Sequence, residues 1–199
     1  MSRADSSAAK AELRMKLRAE SQPFSGVDRA AASAQICQQL KEQGVWKRAR
    51  SILFYSPLPD EPDIQPLFGD ALTAGKAAAL PRYSAPDGKY EACQIRDLAH
   101  DLQAGAFGIP EPRRACPIFD LKKLDLVLVP GVGFALNGSR LGRGKGFYDR
   151  LLAEIAGIKC GVAFDWQLTV EIPVESHDIC LDCILTPTRW HVVTGRSRF

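Results

Sequence analysis

The sequence predicts an α/β fold, a three-layer α/β/α sandwich around a mostly parallel central sheet. Three observations lead there. Residues 125–130 (Asp-Leu-Val-Leu-Val-Pro) are apolar at successive positions. A strand buried on both faces reads this way, and such strands occupy the middle of parallel sheets. Strand-like apolar runs also alternate along the chain with segments of helical period, the pattern of strands joined through crossover helices. Finally, a chain of 199 residues with 46% hydrophobic and 25% charged content can bury a core on both sides of a sheet within one domain. A single domain over 1–199 is expected, since no linker or repeat is visible.

In chain order, residues 8–20 read as a helix, with Leu13 and Leu17 four apart on one face. A second helix covers 28–41, where Ile36 and Leu40 share a side. Residues 51–56 form a short apolar strand ended by Pro57. A helix at 64–74 follows, then a strand at 77–80 stopped by Pro81, because proline has no ladder donor. Residues 91–95 are a weaker strand. The proline-rich piece at 109–117 reads as an extended connection rather than regular structure. Beyond the central strand, Tyr148, Leu151, Leu152 and Ile155 repeat at i, i+3, i+4 and i+7. A helix therefore begins near Phe147, and Gly157 is expected to cap its end. Residues 158–164 and 183–185 are later strands. The polar, basic tail after Trp190 is expected to fray.

Charge is concentrated in one place. Of 26 basic and 23 acidic residues in the chain, the run 138–150 contains Arg140, Arg143, Lys145 and Arg150 against Asp149 alone. The remaining 186 residues balance at 22 against 22, so the net +3 belongs to this glycine-rich loop. Closely spaced cations repel unless an anion is present. Glycines let backbone N–H groups approach a ligand, and a helix begins directly after them. The combination describes a seat for a polyanion, such as a nucleoside triphosphate. The alternative is a solvated basic loop.

Composition excludes other classes. A pI near 8.5 is too mild for a nucleic-acid binder with a broad basic face. No run approaches a membrane span. The charged N-terminus lacks the apolar core of a secretory signal. The six cysteines mostly lie in apolar runs, and a chain of this size needs no disulfide staples, which suits the cytoplasm.

The loop fits neither common phosphate motif. Ser139 stands where a Walker A loop needs its first glycine, and Gly146 follows Lys145 where that loop has Ser or Thr. Gly142, Gly144 and Gly146 are spaced by two, unlike G-x-G-x-x-G. Outside it, several residues carry two readings. Asp149, in the first helical turn, is a macrodipole partner or a Mg²⁺ ligand beside phosphates. Lys10 and Arg14, four apart on one helix, are a solvated face or a grip on a phosphate chain. Asp60, Glu61 and Asp63 follow the strand carrying Tyr55, where α/β sheets bind ligands. They either cap the next helix or, through Glu61, accept an amide or pterin-like N–H. Cys180-x-x-Cys183 near His177 hints at a metal, but no second pair exists to complete a zinc site, and buried structural cysteines are the simpler reading.

The segment Val129-Pro130-Gly131-Val132-Gly133-Phe134, followed by Gly138 and Arg140-Leu141-Gly142-Arg143-Gly144-Lys145-Gly146-Phe147-Tyr148-Asp149, closely resembles the signature of the 5-formyltetrahydrofolate cyclo-ligase (methenyltetrahydrofolate synthetase) family. The likeness spans nearly the whole chain. It includes Lys10-x-x-Leu13-Arg14, Asp60-Glu61, Pro81-Arg82-Tyr83, Ile109-Pro110 and His177-Asp178 with Asp182. This resemblance implies a Mg-ATP-dependent conversion of 5-formyltetrahydrofolate to 5,10-methenyltetrahydrofolate, with ADP and phosphate released. The formyl oxygen would be phosphorylated first, and N10 would then attack the activated carbon. It implies that Lys10, Arg14 and the run from Arg140 through Leu141, Gly142, Arg143, Gly144, Lys145, Gly146 and Phe147 to Tyr148 hold ATP. Arg143 and Lys145 would act catalytically on the γ-phosphate. Tyr55, Glu61 and Arg143 to Phe147 would face the folate, and Asp149 and Asp182 would hold Mg²⁺.

Two departures stand out. Phe147 occupies a place where the family often has a second tyrosine, and Pro62-Asp63 replaces the more usual apolar residue and acid. The implied partners are a small-molecule substrate, with no nucleic acid or membrane, and the chain is expected to be a monomer or weak homodimer. Two rivals differ in class. A non-catalytic nucleotide- or RNA-binding relative would need neither Asp149 nor Glu61. A sugar-phosphate enzyme would not need the Lys10/Arg14 helix.

Overall fold

The computed structural model describes residues 3–105 and 108–195. In order, helices α1 (Arg3–Glu20), α2 (Gly26–Glu42) and α3 (Gly44–Arg48) precede β1 (Ser51–Leu53). Then come α4 (Gln65–Thr73), β2 (Ala77–Ser84), β3 (Lys89–Ile95), α5 (Leu98–Asp101), β4 (Leu102–Ala104) and β5 (Pro110–Pro112). The C-terminal half contains β6 (Leu126–Val129), β7 (Gly133–Ala135), β8 (Arg140–Leu141), α6 (Phe147–Ala153), β9 (Ile158–Val162), β10 (Leu168–Thr169), β11 (Cys183–Leu185) and β12 (Trp190–Val192).

A seven-stranded sheet runs in the order β12-β11-β9-β6-β1-β2-β3. The strands from β11 to β2 are mutually parallel, and antiparallel β12 and β3 close the two edges. β6 is the middle strand, as its unbroken apolar run requires. Alternation along the strands builds the layers. Ile52, Leu126, Leu128, Cys160, Val162 and Leu185 join the core beneath α2, α3 and α4. Their neighbours Leu53, Val127, Val129 and Ile184 face the opposite side, where Leu151, Leu152 and Ile155 of α6 and its C-terminal extension pack. The three-layer expectation is met, with a thinner layer on the α6 side.

Several element boundaries differ from expectation. α1 begins five residues earlier than residue 8. Ser25 starts α2 with a reciprocal capping box to Asp28. α3 and α5 carry no signal that survives their few residues. β1 stops at Leu53, although the Phe54 N–H still bonds the Ala79 carbonyl at 2.9 Å.

Pro81 does not stop β2, which continues to Ser84 opposite β3. Gln94 and Ala92 turn their bonding groups away from β2, toward Pro117 and Phe119. Pro81, facing Ala92, therefore sits at a non-bonded pair, and its missing donor lies on the side that β1 has already left. Pro110–Pro112 is not mere connection but β5, paired antiparallel with β4. Gly157 is not the cap of α6, which Glu154 ends in ordinary helical geometry. Gly157 instead permits close passage, since a Cβ there would lie 2.1 Å from the Leu124 carbonyl oxygen. The tail does not fray directly after Trp190: β12 pairs with β11, and Val193 is buried. Its last residues, 196–199, lie outside the described ones.

A second, three-stranded sheet, in the order β10-β7-β8, was not legible in advance. It places α1 against the loop: Leu17 packs with Val132, Ala135, Leu141 and Ile172. That contact brings the N-terminal helix to the glycine-rich segment.

Candidate active site

The cleft forms where the parallel strands end. The chain leaving β1 supplies Ser56, Leu58 and Glu61, and the chain leaving β6 supplies Pro130 and Gly131. Ligands collect at this end of open α/β sheets. The glycine-rich segment crosses between them, and Gly144 and Gly146 adopt φ of +99° and +63°. Side chains rarely tolerate this conformation, so glycine at these two positions is a backbone requirement. α1 contributes Lys10 and Arg14 from one side, and β3 contributes Tyr90 from the other. The enclosed volume is about 450 Å³.

Lys10, Arg14, Glu61 and every residue from Arg140 to Asp149 line this one cleft. Tyr55 and Asp182 do not. Tyr55 is buried, and its hydroxyl donates to the Pro62 carbonyl at 2.8 Å. It braces the 57–62 loop rather than facing a substrate. Asp182 is 3% exposed and precedes β11, at the opposite end of the sheet. Its Oδ2 accepts the Lys159 N–H at 2.9 Å. Asp182 therefore does not share the cleft with Asp149: its buried carboxylate is turned to the Lys159 N–H, while Asp149 lines the cleft.

Acids meet the cations, all but Asp149 from remote segments. Nη2 of Arg143 donates to Asp60 at 2.5 Å and to Glu61 at 3.2 Å. Nη2 of Arg140 donates to both Asp149 oxygens at 3.1 Å. Nζ of Lys10 donates to Asp178 at 2.6 Å, with Glu175 at 3.8 Å. Nε of Arg14 donates to the Gly142 carbonyl at 2.8 Å, which ties α1 to the loop.

Burial is the main pressure on the protons here. It pushes the Glu61 carboxyl up, against the opposing pull of the Leu58 N–H and Arg143. It also lowers the Arg14 guanidinium, which Arg18 depresses further. Burial opposes ionisation of Asp178 too, but hydrogen bonds from Lys10 and the Glu175 N–H outweigh it and hold this carboxyl below its usual range.

The two ends of the cleft differ in chemistry. One gathers Lys10, Arg14 and Arg140 around the glycine cradle. Nε of Arg140 is buried with no hydrogen-bond partner among the described residues, an unfilled donor beside the glycine-rich segment. These residues fit a triphosphate. Phe147 and Tyr90 also line the cleft, ring centroids 5.4 Å apart, with Tyr83 packed on Phe147 at 5.2 Å and Lys145 Nζ 5.9 Å from the Phe147 centroid. These rings and Glu61 fit a flat heterocycle bearing N–H donors.

Among the described residues, no group of three or more His, Cys, Asp or Glu is placed to hold a metal. Cys180 and Cys183 do not converge. Cys183 is buried in β11, while the Cys180 thiol donates to the Asn137 carbonyl. Asp149 suits Mg²⁺ that arrives with phosphate oxygens, since that ion commonly takes only one or two carboxylates. Sequence reading missed Tyr90, Glu111 and Glu175. No motif marks them, and only the packing of β3, β5 and the 171–179 loop brings them to the cleft.

The model of the 5-formyltetrahydrofolate cyclo-ligase family matches residues 6–187. The 5-formyltetrahydrofolate cyclo-ligase of Mycolicibacterium smegmatis is 34% identical over 152 residues, covering 70% of this chain and 75% of that protein. The Mus musculus cyclo-ligase is 27% identical over 191 residues, covering 88% and 90%. Among solved structures, the 5,10-methenyltetrahydrofolate synthetase of Aquifex aeolicus superposes with a TM-score of 0.84 at 33% identity, covering 96% of each chain.

Proposed function

The chain belongs to the 5-formyltetrahydrofolate cyclo-ligase family, and on that premise we propose how its cleft carries out the reaction. The enzyme converts 5-formyltetrahydrofolate to 5,10-methenyltetrahydrofolate. The formyl oxygen attacks the γ-phosphorus of ATP and ADP leaves. N10 then attacks the activated carbon, its proton is lost, and the C–O bond breaks as phosphate leaves. The carrying observation is convergence: cations from α1 and from the glycine-rich segment share one cleft with Glu61 and the rings of Tyr90, Phe147 and Tyr148.

In this reading Lys10, Arg14, Arg140 and the backbone from Leu141 to Tyr148 hold the triphosphate. Lys145 and Arg143 neutralise charge as it moves from the γ-phosphate to the leaving oxygens, a task that preorganised cations perform well in a dry site. Arg143 stands at the junction of the two ends, already held by Glu61 on the folate side. Glu61 accepts pterin N–H groups, and Phe147 and Tyr90 flank the ring. Asp149 would hold Mg²⁺, which supplies further charge neutralisation on the phosphates. Burial and the bond to Pro62 give Tyr55 a supporting role instead of the folate contact expected for it.

The reaction is tested by mixing protein, 5-formyltetrahydrofolate and Mg-ATP and following methenyl-folate absorbance. An ATP-dependent rise is expected. Its absence at micromolar enzyme would overturn the reading.

A further inference from the structure

Of the four cations in residues 138–150, Arg140, Arg143 and Lys145 line the cleft and Arg150 does not. Arg150 is exposed on α6. Glu154, four residues on, is its natural helical partner. Glu154 pairs with Lys89 instead, at 4.0 Å, and no acid is paired with Arg150 among the described residues.

Arg150 is nevertheless held in place. Its Nη2 donates to the Gly88 carbonyl at 3.1 Å, in the turn between β2 and β3. Its guanidinium carbon stands 5.1 Å from the centroid of the Phe147 ring. A Cβ on Gly146 would come within 3.4 Å of its Nη1, so the glycine-rich segment passes beside it. Gly146 and Phe147 both line the cleft. The cation therefore marks the outer rim, one ring away from the interior. The wall leading to it is aromatic. Tyr83 and Tyr90 are register partners across β2 and β3, with ring centroids 6.0 Å apart, and both pack against Phe147.

The substrate has its parts in a matching order. Beyond the pterin, 5-formyltetrahydrofolate carries a benzoyl ring and then a glutamate with its carboxylates. A flat ring suits an aromatic wall. A carboxylate suits an arginine fork, whose parallel N–H groups it meets in pairs, and the Gly88 bond occupies only one arm of that fork. We infer that Arg150 is a specificity-determining residue, which receives a glutamate carboxylate of the folate while the benzoyl ring lies along Phe147. The inference rests on the folate reading above. A contact with the nucleotide is the rival, because Gly146 belongs to the glycine cradle.

The probe is the N-methylamide of 5-formyltetrahydropteroate, which keeps the pterin and the benzoyl amide but has no carboxylate. Wild-type turnover of either compound examines the reaction, and the comparison between them examines Arg150. The wild type should show a kcat/KM about fivefold or more higher for the folate, with the difference in KM. Added salt should shrink that preference, since the cation is exposed. In Arg150→Ala the preference should fall to within about twofold. The salt series needs no variant, so it decides the matter even if Arg150→Ala folds poorly. A wild type that does not discriminate, or whose preference ignores salt, would overturn the assignment. So would a preference that survives in the folded variant, or losses that fall equally on folate and Mg-ATP.

Discussion

Glu61 shows how one residue serves two neighbours. One oxygen accepts the Leu58 N–H at 3.1 Å, and the other meets Arg143. Burial still raises its proton affinity above the ordinary glutamate value of 4.5. The sign of the consequence follows. An acid with a raised pKa picks up its proton at a higher pH on acidification, and a protonated Glu61 has lost the charge that draws pterin donors. Folate affinity measured without ATP should therefore begin to fall above pH 4.5, while Glu61→Gln binds weakly with a flat profile through that range. A wild-type profile as flat as the variant's would show that Glu61 does not read the folate. In the sequence this acid looked equally like a helix cap, because nothing local reveals that Arg143, 82 positions away, will sit against it.

At the element scale, the 57–62 loop depends on Tyr55. Its hydroxyl reaches the Pro62 carbonyl from a fully buried ring, closing the turn that presents Asp60 and Glu61. Tyr55→Phe removes one neutral hydrogen bond and leaves a buried acceptor, a loss of about 1–3 kcal/mol. The melting temperature should fall, and folate KM should rise only a few-fold, since the loop loosens without losing Glu61. A loss of turnover as large as that of Glu61→Gln would instead return Tyr55 to direct substrate contact. Elements with a strong period were readable: α2, β6 and the start of α6 stand where Ile36/Leu40, the 126–129 run and Leu151/Leu152 put them. The short strands were not. β7, β8 and β10 are two or three residues each, too few for any period, and exist because they pair with one another.

At the scale of the molecule, the two ends of the sheet do different work. The C-terminal ends of the strands carry the cleft. The opposite end is tied by Asp182, which accepts the Lys159 N–H between β9 and β11. Asp182→Ala should therefore lower stability by about 1–3 kcal/mol and leave the Mg²⁺ dependence of turnover unchanged. A shifted Mg²⁺ requirement at unchanged melting temperature would place this residue with the metal after all. The charge pattern changes in the same way once the chain is folded. In sequence, the excess positive charge belongs wholly to 138–150. In the fold, Asp60, Glu61, Glu175 and Asp178 come from distant segments to stand among the cleft's cations. The sequence alone determined the layered α/β class, the central strand, the glycine cradle and the family. Each rests on local period or on a contiguous motif, which short-range sterics and hydrophobic alternation impose. Only the tertiary structure decided which acids answer which cations, and that Tyr55 and Asp182 are buried against internal partners instead of lining the cleft. Those outcomes depend on contacts between segments far apart in the chain, and no local pattern encodes the distance across which they meet.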